Sequence, residues 1–531
     1  MERARVQDDQ SALIAWLEDP STHGIDGPVA RIDTHIATVF LAGDRAYKLK
    51  RPICLPYLDF GTVARRRAAC AAELRINRRA APSLYLGVVP VTENEGGFAL
   101  DGEGKAVDWL VVMRRFPQGS LLSSMAEAGA LDSKLVIQLA DRIGAFHATA
   151  PIRPEYGGRD GLSFVIESNG ESMRENAGDA LNRDAVAALT GASRAALERL
   201  APLLEARRAG GRVRRCHGDL HLANLCLLDG RPTLFDAIEF SERIGSIDTL
   251  YDLAFLVMDL EHRGLRSLAN LVLGRYLAMT EDHYGLAALP LFLSVRAAVR
   301  CHVSALAATR QAEPNEVARL ASEAGAYLAL ARRSLKAQPA ALIAVGGLSG
   351  TGKTTLARIL APRYGALPGA LHLRSDEIRK RLCGATPETR LPPKAYRPDV
   401  TAHVYARLTE LAGIALAAGR TVVADAVFAD PGERAALATV AARAKVPFAG
   451  LWLDAPQDVA AARIETRSGD ASDATPAVLD AQSALDTGDI AGDIAWARID
   501  AGRTPTECAE KAAQALAAAG IRPADSPDGS R

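Results

Sequence analysis

The 531-residue chain carries as many basic as acidic side chains, with 63 Lys plus Arg against 63 Asp plus Glu. Because the formal net charge is zero, no global basic field attracts nucleic acid or an anionic membrane. A single hydrophobic core stops growing near about 250 to 300 residues, so the length excludes one core and predicts two large domains.

The composition is that of a globular protein, with 48% hydrophobic and 24% charged residues. Alanine has the lowest cost in a helix and is abundant, so we expect helix to exceed strand. The first ten residues mix charges of both signs, and no run of about 18 uncharged apolar residues occurs, so no signal peptide or membrane anchor is expected. Seven scattered cysteines without a CxxC pair fit reduced thiols. These features predict a cytoplasmic protein.

The N-terminal half begins with β-structure. Short apolar runs at 36–41 and 46–49, separated by AGDR, predict a hairpin, and a helical stretch over 63–78 follows. Three further candidate strands end with 107–116, after which the pattern becomes mainly helical. A polar, glycine-bearing stretch around 156–179 is interpreted as a loop or mobile insertion. This order predicts an α+β domain.

A seam lies in KAQPAA, where a helical, alanine-rich run ends in a proline and an apolar run begins. We therefore predict two domains, 1–336 and 337–531. After the seam, short apolar runs alternate with helical segments, which is typical of a parallel sheet with helices on both faces. The five runs are 341–345, 371–373, 421–424, 448–453 and 495–499. The C-terminal half is predicted to be an α/β domain that ends in a polar, frayed tail over 523–531.

The run GLSGTGKT matches the phosphate-binding pattern GxxxxGK[ST] in full, between a predicted strand and a predicted helix. Its glycines let backbone N–H groups cradle phosphate oxygens, Lys353 reaches the β and γ phosphates, and the Thr354 hydroxyl can bind Mg²⁺. A glycine-rich turn that binds nothing is the alternative, but it does not explain the adjoining Lys-Thr pair. The predicted nucleotide-binding residues are Gly347, Leu348, Ser349, Gly350, Thr351, Gly352, Lys353, Thr354 and Thr355.

Five further residues of this half are candidates for phosphoryl-transfer chemistry. Asp425 ends the apolar run TVVA, where an acidic residue supports the metal, although a helix cap or turn is the alternative. Asp376 and Arg379, in RSDEIRKR, could act as proton acceptor and as substrate or phosphate ligand, or form only a charged helix start. Arg463 and Arg467 could belong to a lid or to a solvated, salt-bridged surface.

At these residues the C-terminal half, over 341–519, resembles the small P-loop kinases, a group that includes gluconate kinase, the zeta toxins and the kinase domain of polynucleotide kinase. The spacing of Asp376 and Arg379 resembles the base and substrate-binding arginine of the polynucleotide kinase and zeta-toxin branch. The resemblance implies a P-loop NTPase fold and a kinase in preference to a motor or a switch.

The first half contains HGDLHLANL over 217–225, in which Asp219 precedes Asn224 by five positions, as in the kinase pattern HRDxxxxN. At this spacing Asp219 can accept the proton of a hydroxyl while Asn224 holds a metal on the ATP phosphates. Asp236, in TLFDAIEF, occupies the place of the metal-binding aspartate that follows a short hairpin.

Through YDLAF at 251–255, this region resembles the aminoglycoside phosphotransferase and choline kinase superfamily, which implies a protein-kinase-like fold, Asp219 as base and Asn224 and Asp236 as metal ligands. Lys48, in AYKLK, matches the A-x-K of the kinase strand that carries the phosphate-binding lysine, and Lys50 on the same strand face is the alternative. Glu73 is the expected partner, unless it forms only a surface ion pair.

Two features of this half receive no binding role. The turn AGDR at 42–45 lacks the GxGxxG of protein kinases, so phosphate coverage here must be looser or built differently. His147 and His302 stand in helical apolar surroundings and are interpreted as packed or surface residues.

The two motif sets together predict a phosphotransferase that uses ATP and Mg²⁺ in two domains and transfers the γ-phosphate to a hydroxyl of a small molecule. One alternative is a regulatory protein in which the kinase-like half senses a ligand and the P-loop half holds or hydrolyses nucleotide. The other is a nucleic-acid end kinase, which zero net charge and only 5% aromatic residues disfavour. No membrane partner is expected.

Overall fold

The computed structural model describes residues 9–55, 58–176, 181–466, 471–485, 487–490 and 496–524. The chain divides into two compact units. The first unit comprises Met1–Leu162 and Glu205–Leu256, and the second comprises Ser163–Leu204 and Val257–Arg531. The predicted boundary between 336 and 337 falls inside the second unit, in the segment after a long helix, and stays a prediction.

Helices account for most of the regular structure, as the alanine content predicts. The helices are α1 (Ser11–Glu18), α2 (Val63–Asn77), α3 (Leu122–Glu127), α4 (Ser133–Thr149), α5 (Gly158–Asn176), α6 (Arg183–Ala209), α7 (Glu242–Gly245), α8 (Thr249–His262), α9 (Arg266–Thr280), α10 (Leu289–Ala308), α11 (Pro314–Leu335), α12 (Lys353–Leu360), α13 (Ser375–Leu382), α14 (Pro398–Ala417), α15 (Pro431–Ala444), α16 (Gln457–Thr466), α17 (Pro476–Ser483) and α18 (Pro505–Ala518). The strands are β1 (Ala30–Asp33), β2 (Ala37–Ala42), β3 (Arg45–Lys50), β4 (Cys54–Leu55), β5 (Leu58–Asp59), β6 (Tyr85–Asn94), β7 (Gly97–Leu100), β8 (Lys105–Arg114), β9 (Val213–Arg215), β10 (Leu225–Leu228), β11 (Arg231–Leu234), β12 (Ser246–Asp248), β13 (Leu342–Gly347), β14 (Leu371–Arg374), β15 (Val422–Asp425), β16 (Phe448–Asp454) and β17 (Trp496–Asp500).

The first unit contains an antiparallel six-stranded sheet in the order β1-β2-β3-β8-β6-β7. Strands β2 and β3 form the predicted hairpin, and their turn requires Gly43, whose φ is +57°. Phe40, Leu49 and Leu110 are fully buried in one core cluster of this sheet. The predicted hairpin, the helix α2 and the three later strands are therefore confirmed.

The prediction of a loop over 156–179 is wrong, because α5 occupies most of this stretch. Leu162, Ile166 and Met173 are buried, and their spacing of four and then seven residues places them on one helical face. The polar residues and glycines between them masked this periodicity. Residues 177–180 lie outside the described part of the chain.

The second unit contains a parallel five-stranded sheet in the order β14-β15-β13-β16-β17. All five predicted apolar runs are strands of this sheet. Strand β13 is central and fully buried, with Val345 aligned to Asp425 on one side and to Leu451 on the other. The carboxyl ends of the strands therefore meet at one edge, where open α/β sheets bind ligands.

One segment of the second unit, His283–Ala308, is long and apolar enough to cross a membrane by length and composition. Of the apolar window of 18 residues in this segment, 67% is buried inside the structure, as in the core helix of a globular protein. Leu291, Phe292 and Val295 are each 1% exposed. The apolar character of α10 is accounted for by core packing.

Candidate active sites

The predicted catalytic loop of the first unit brings Asp219 and Asn224 into direct contact. The amide Nδ2 of Asn224 donates to Oδ2 of Asp219 over 2.8 Å and to its backbone carbonyl over 2.9 Å. Because Nδ2 is the donor, Oδ1 of Asn224 remains as an acceptor for a cation. The Asp219 side chain is 38% exposed, so a substrate can reach it.

The carboxylate of Asp252 fixes the backbone of this loop. Its oxygens accept hydrogen bonds from the backbone N–H groups of His217, over 3.0 Å, and Gly218, over 2.8 Å. Nε2 of His147 lies 3.0 Å from the same carboxylate. His147 is therefore a packed residue, as predicted, but it supports the catalytic loop through Asp252. Nε2 of His221 lies 3.3 Å from Oδ2 of Asp219 and can orient the candidate base.

The side chain of Asp236 lies beside this loop. Backbone N–H of Phe235 donates to the carbonyl of Asn224 over 3.1 Å, which joins the end of the β10–β11 hairpin to the catalytic loop. Asp236 has φ of +60°, an uncommon conformation for a residue with a side chain, and its N–H donates to the Tyr85 hydroxyl over 3.0 Å. Asn224 Oδ1 and the Asp236 carboxylate are hard oxygen donors, which suit Mg²⁺.

Lys48 and Lys50 both bind Glu73, so the predicted pair forms part of a larger network. Lys48 Nζ lies 2.9 Å from one carboxylate oxygen of Glu73, and it also contacts Asp236. Lys50 Nζ contacts the other oxygen of Glu73 and the carboxylate of Glu239. Burial raises the pKa of Glu73, but the charges of Lys48 and Lys50 outweigh it and lower the pKa to about 2.

The geometry favours Lys48 as the phosphate-binding lysine, because it reaches the candidate metal ligand Asp236 and Lys50 does not. Lys50 is fully buried, and its other partner Glu239 has a side chain only 3% exposed. Lys50 therefore holds Glu73 in place from the interior. These roles stay predictions.

Lys50→Met is expected to lower the free energy of unfolding of the first unit by about 3–5 kcal/mol, because it leaves Glu239 buried without a cation. Urea unfolding checks this. The double variant Lys50→Met/Glu239→Gln should recover part of the loss, since no buried carboxylate then lacks a partner. Equal stability of the single and double variants would contradict the proposed pairing.

The phosphate-binding loop of the second unit joins β13 to α12, as predicted, and its glycines are sterically required. A Cβ at Gly347, with φ of +136°, would lie 2.5 Å from the carbonyl oxygen of Leu453. A Cβ at Gly350, with φ of +81°, would lie 2.3 Å from the carbonyl oxygen of Ala460. No side chain fits at either position, so the backbone can approach a phosphate closely.

Residues of the phosphate-binding loop line a large cavity. Nζ of Lys353 donates to the carbonyl of Leu348 over 2.9 Å, and the N–H of Ser349 donates to Oε1 of Gln482 over 2.9 Å. The Thr351 hydroxyl donates to the carbonyl of Leu348 and closes the turn. Six of the nine predicted residues line the cavity, namely Ser349, Gly350, Gly352, Lys353, Thr354 and Thr355.

Thr354 and Asp425, the two residues predicted to bind the metal in this unit, contact each other. The Thr354 hydroxyl donates to Oδ2 of Asp425 over 2.6 Å, and Nε2 of His372 lies 3.3 Å from the same oxygen. Burial raises the pKa of Asp425, but the hydrogen bond to His372 and the charges of Arg374 and Lys353 lower it to about 2. The resulting carboxylate and hydroxyl oxygens are the donor types that Mg²⁺ prefers.

Asp376 and Arg379 line the same cavity, whose volume is about 970 Å³. Withdrawal of the Asp376 carboxyl from water raises its pKa, and the charges of Arg374 and Lys353 reduce this rise without cancelling it. Arg463 also lines the cavity, and its Nη1 would lie 3.8 Å from a Cβ at Gly352. Arg467, the second predicted lid arginine, lies outside the described residues.

Residues 39–289 match the family model described as Phosphotransferase enzyme family, and residues 342–485 match the model described as AAA domain. An uncharacterized protein of Mycobacterium tuberculosis is 31% identical over 460 residues, which cover 85% of this chain and 89% of that relative. An uncharacterized protein of Mycobacterium bovis matches over the same shares. The chain belongs to the same family as these mycobacterial proteins. It joins an aminoglycoside-phosphotransferase-type, kinase-like domain to a P-loop kinase-like AAA domain, as the motifs predict.

The chain is also similar to two solved structures of proteins described as kinases. A choline/ethanolamine kinase family protein from Mesorhizobium loti is 16% identical, with a TM-score of 0.35, and covers 61% of this chain and 98% of that chain. A sugar kinase from Janibacter sp. is 21% identical, with a TM-score of 0.26, and covers 34% of this chain and 95% of that chain. The family matches identify the chain as a kinase-type phosphotransferase with a nucleotide-binding P-loop domain.

Proposed function

We propose that the protein is an ATP- and Mg²⁺-dependent kinase with two centres, each of which transfers the γ-phosphate of ATP to a hydroxyl of a small molecule. One observation carries this proposal: in each unit a carboxylate suited to accept a proton stands beside a separate set of phosphate- and cation-binding groups. Asp219 stands with Asn224, which directly contacts it. Asp376 lines the cavity of Thr354 and Asp425. We further propose a cytoplasmic location.

In the first centre, Asp219 accepts the proton of the acceptor hydroxyl while Lys48 binds the ATP phosphates. Asp252 holds the backbone of the catalytic loop, so the position of Asp219 is fixed before the substrates bind. Asn224 and Asp236 would hold Mg²⁺, which neutralises phosphate charge when bound. Glu73 keeps Lys48 extended toward the phosphates.

In the second centre, the backbone N–H groups of the loop and the N-terminus of α12 bind the phosphates, and Lys353 turns from Leu348 toward them. Thr354 and Asp425 would hold Mg²⁺. Asp376 accepts the proton of the acceptor hydroxyl, and Arg379 positions the acceptor. Arg463 supplies positive charge at the cavity, where charge on the phosphoryl group must be balanced in the transition state.

Lys353→Ala is expected to abolish nucleotide binding in the second centre and to leave binding in the first centre intact, because the two sets of residues belong to different units. Titration calorimetry with a non-hydrolysable ATP analogue checks this by the number of binding events. A single event in the wild-type chain that is wholly lost in Lys353→Ala would show that the kinase-like domain binds no nucleotide.

The experiment that tests the proposed function is transfer from labelled ATP across a panel of small alcohols, sugars, aminoglycosides and oligonucleotide ends. Running the panel with Lys353→Ala and with Asp219→Asn assigns each activity to its centre. Hydrolysis of ATP without transfer to any acceptor would refute the kinase proposal in favour of a regulatory ATPase. Transfer to oligonucleotide ends alone would favour a nucleic-acid end kinase.

A further inference from the structure

The cavity of the second unit extends beyond the residues that serve nucleotide binding. We define its distal end by the lining residues Arg379, Tyr396, Thr401, Tyr405 and Glu433. Asp376 lines the same cavity as Lys353 of the phosphate-binding loop and Tyr396 of the distal end. If the acceptor hydroxyl lies at Asp376, the rest of the acceptor occupies the distal end.

The guanidinium of Arg379 is buried at the distal end, with 7% exposure. Its Nη1 donates to the carbonyl of Ala395 over 2.8 Å and to the Thr401 hydroxyl over 3.2 Å, and the group lies 4.8 Å from the ring of Tyr396. Its Nε has no hydrogen-bond partner among the described residues. A buried charge without a counterion is costly, and Arg379 lines the cavity without an acidic partner in the described part of the chain, so its guanidinium is suited to an anionic group of a ligand.

Glu433 is the acidic counterpart at the same end of the cavity. Its half-buried carboxyl accepts a hydrogen bond from the Tyr405 hydroxyl, which itself accepts one from the N–H of Phe428 over 3.1 Å. The neighbouring Arg434 donates instead to the carbonyls of Phe428 and Ala429. Burial and, to a lesser extent, the like charge of Asp430 raise the pKa of Glu433 to about 7, although the hydrogen bond from Tyr405 and the charge of Arg434 act in the opposite direction.

Both groups are held by α14. Arg379 is hydrogen-bonded to Thr401 and Glu433 to Tyr405, which lie four residues apart and therefore about one helical turn from each other. The basic and the acidic group thus line one end of the cavity, where a small molecule that carries both an ammonium and a carboxylate can pair with both. A ligand with only negative groups would instead meet Glu433 and the nearby Asp430 with like charge.

We propose that the acceptor of the second centre is an alcohol that also carries an ammonium group and a carboxylate, bound by Glu433 and Arg379, with its hydroxyl at Asp376. This inference rests on the proposed kinase function. The acceptor oxygen forms a bond to the γ-phosphorus while the bond from that phosphorus to the ADP oxygen breaks, and Asp376 takes the hydroxyl proton. The products are ADP and a phosphate ester of a hydroxy amino acid.

A matched set of acceptors tests this inference on the full-length chain, in an Asp219→Asn background that silences the first centre. In the first set, L-serine carries both charges, ethanolamine lacks the carboxylate, hydroxypropanoate lacks the ammonium and ethanol lacks both. The second set is one carbon longer and consists, in the same order, of L-homoserine, aminopropanol, hydroxybutanoate and propanol. Transfer from labelled ATP should be highest for the zwitterion of one set and at least about tenfold lower for each analogue that lacks one charge, since each ion-paired hydrogen bond contributes on the order of 1.5–3 kcal/mol.

Glu433→Gln should reduce the advantage of the zwitterion over the analogue that lacks the ammonium to about twofold or less. Tyr405→Phe, which removes the hydroxyl that orients Glu433, should reduce the same ratio without removing a charge. Glu410→Gln is the matched control, because Glu410 also belongs to α14 but has a side chain 52% exposed and paired with Arg407. It should leave the ratio unchanged.

Four outcomes would overturn the inference. Equal or better transfer to hydroxypropanoate or ethanol, or an unchanged ratio in folded Glu433→Gln, removes the assigned role of Glu433. Transfer by this centre to other alcohols of the broad panel, but to neither zwitterion, refutes the inference and leaves the kinase function standing. Absence of transfer to every alcohol, with nucleotide binding intact, refutes the proposed function of this centre itself.

Discussion

Asp219→Asn is expected to lower phosphoryl transfer by the first centre about 10²–10⁴-fold, the range associated with a positioned acid or base. An amide has the shape of the carboxylate but cannot take the hydroxyl proton. Oδ1 of the new side chain can still accept the 2.8 Å hydrogen bond from Asn224, so the loop should keep its conformation. Transfer is measured in a Lys353→Ala background, which leaves only the first centre able to bind nucleotide.

Nucleotide affinity separates this role from a metal-binding one. Calorimetry should give an affinity within a few fold of the unsubstituted centre, because Asn224 and Asp236 remain. The matched control is Asp229→Asn, on the turn of the β10–β11 hairpin, where the side chain is 58% exposed. That variant should retain full transfer. Loss of nucleotide binding in Asp219→Asn would show that Asp219 is a metal ligand or a structural residue.

The parts of both sites that lie within a few residues of one another could be predicted from the sequence. The predicted phosphate-binding loop is one such part, because its glycines, Lys353 and Thr354 occupy neighbouring positions where β13 joins α12. The contact between Asp219 and Asn224 is another, since five residues of one loop separate them. In both cases the chemistry requires a fixed spacing, and that spacing is visible as a motif.

The supporting residues could not be predicted, because their partners are distant in the chain. Lys50 meets Glu239 across 189 positions, and His147 meets Asp252 across 105. In the sequence alone, His147 looks like an ordinary helix residue and Glu239 like an ordinary loop residue. Only the fold shows that Glu239 holds the lysine next to the candidate phosphate-binding Lys48.

The residues at the distal end of the cavity, which would determine acceptor specificity, could not be predicted from the sequence either. Glu433 and Tyr405 belong to α15 and α14, and neither stands in a motif. Acceptor pockets are built from whichever elements surround the nucleotide, so their residues follow no short code. The wrong prediction for 156–179 has a related cause, because the apolar face of α5 becomes evident only when Leu162, Ile166 and Met173 are seen to be buried.

Asp376→Asn is the sharpest test in the P-loop domain, because it separates a kinase from an enzyme that only hydrolyses ATP. A hydroxyl acceptor benefits from a positioned carboxylate, so transfer should fall about a hundredfold or more while ATP affinity stays within a few fold. Burial raises the pKa of Asp376, which means that its ionised form is costly in the folded state. The neutral amide should therefore leave the thermal unfolding midpoint unchanged or raise it.

The matched control addresses the alternative that Asp376 is only an acidic residue at a helix start. Asp399 lies in the first turn of α14 as Asp376 lies in the first turn of α13, but its side chain is 57% exposed and paired with Arg397. Asp399→Asn should keep full transfer, whereas Arg379→Ala should raise the KM for the acceptor more than it lowers kcat. If Asp376→Asn and Asp399→Asn both retain full transfer, Asp376 contributes only to the helix start, and the P-loop domain is better described as a regulatory ATPase.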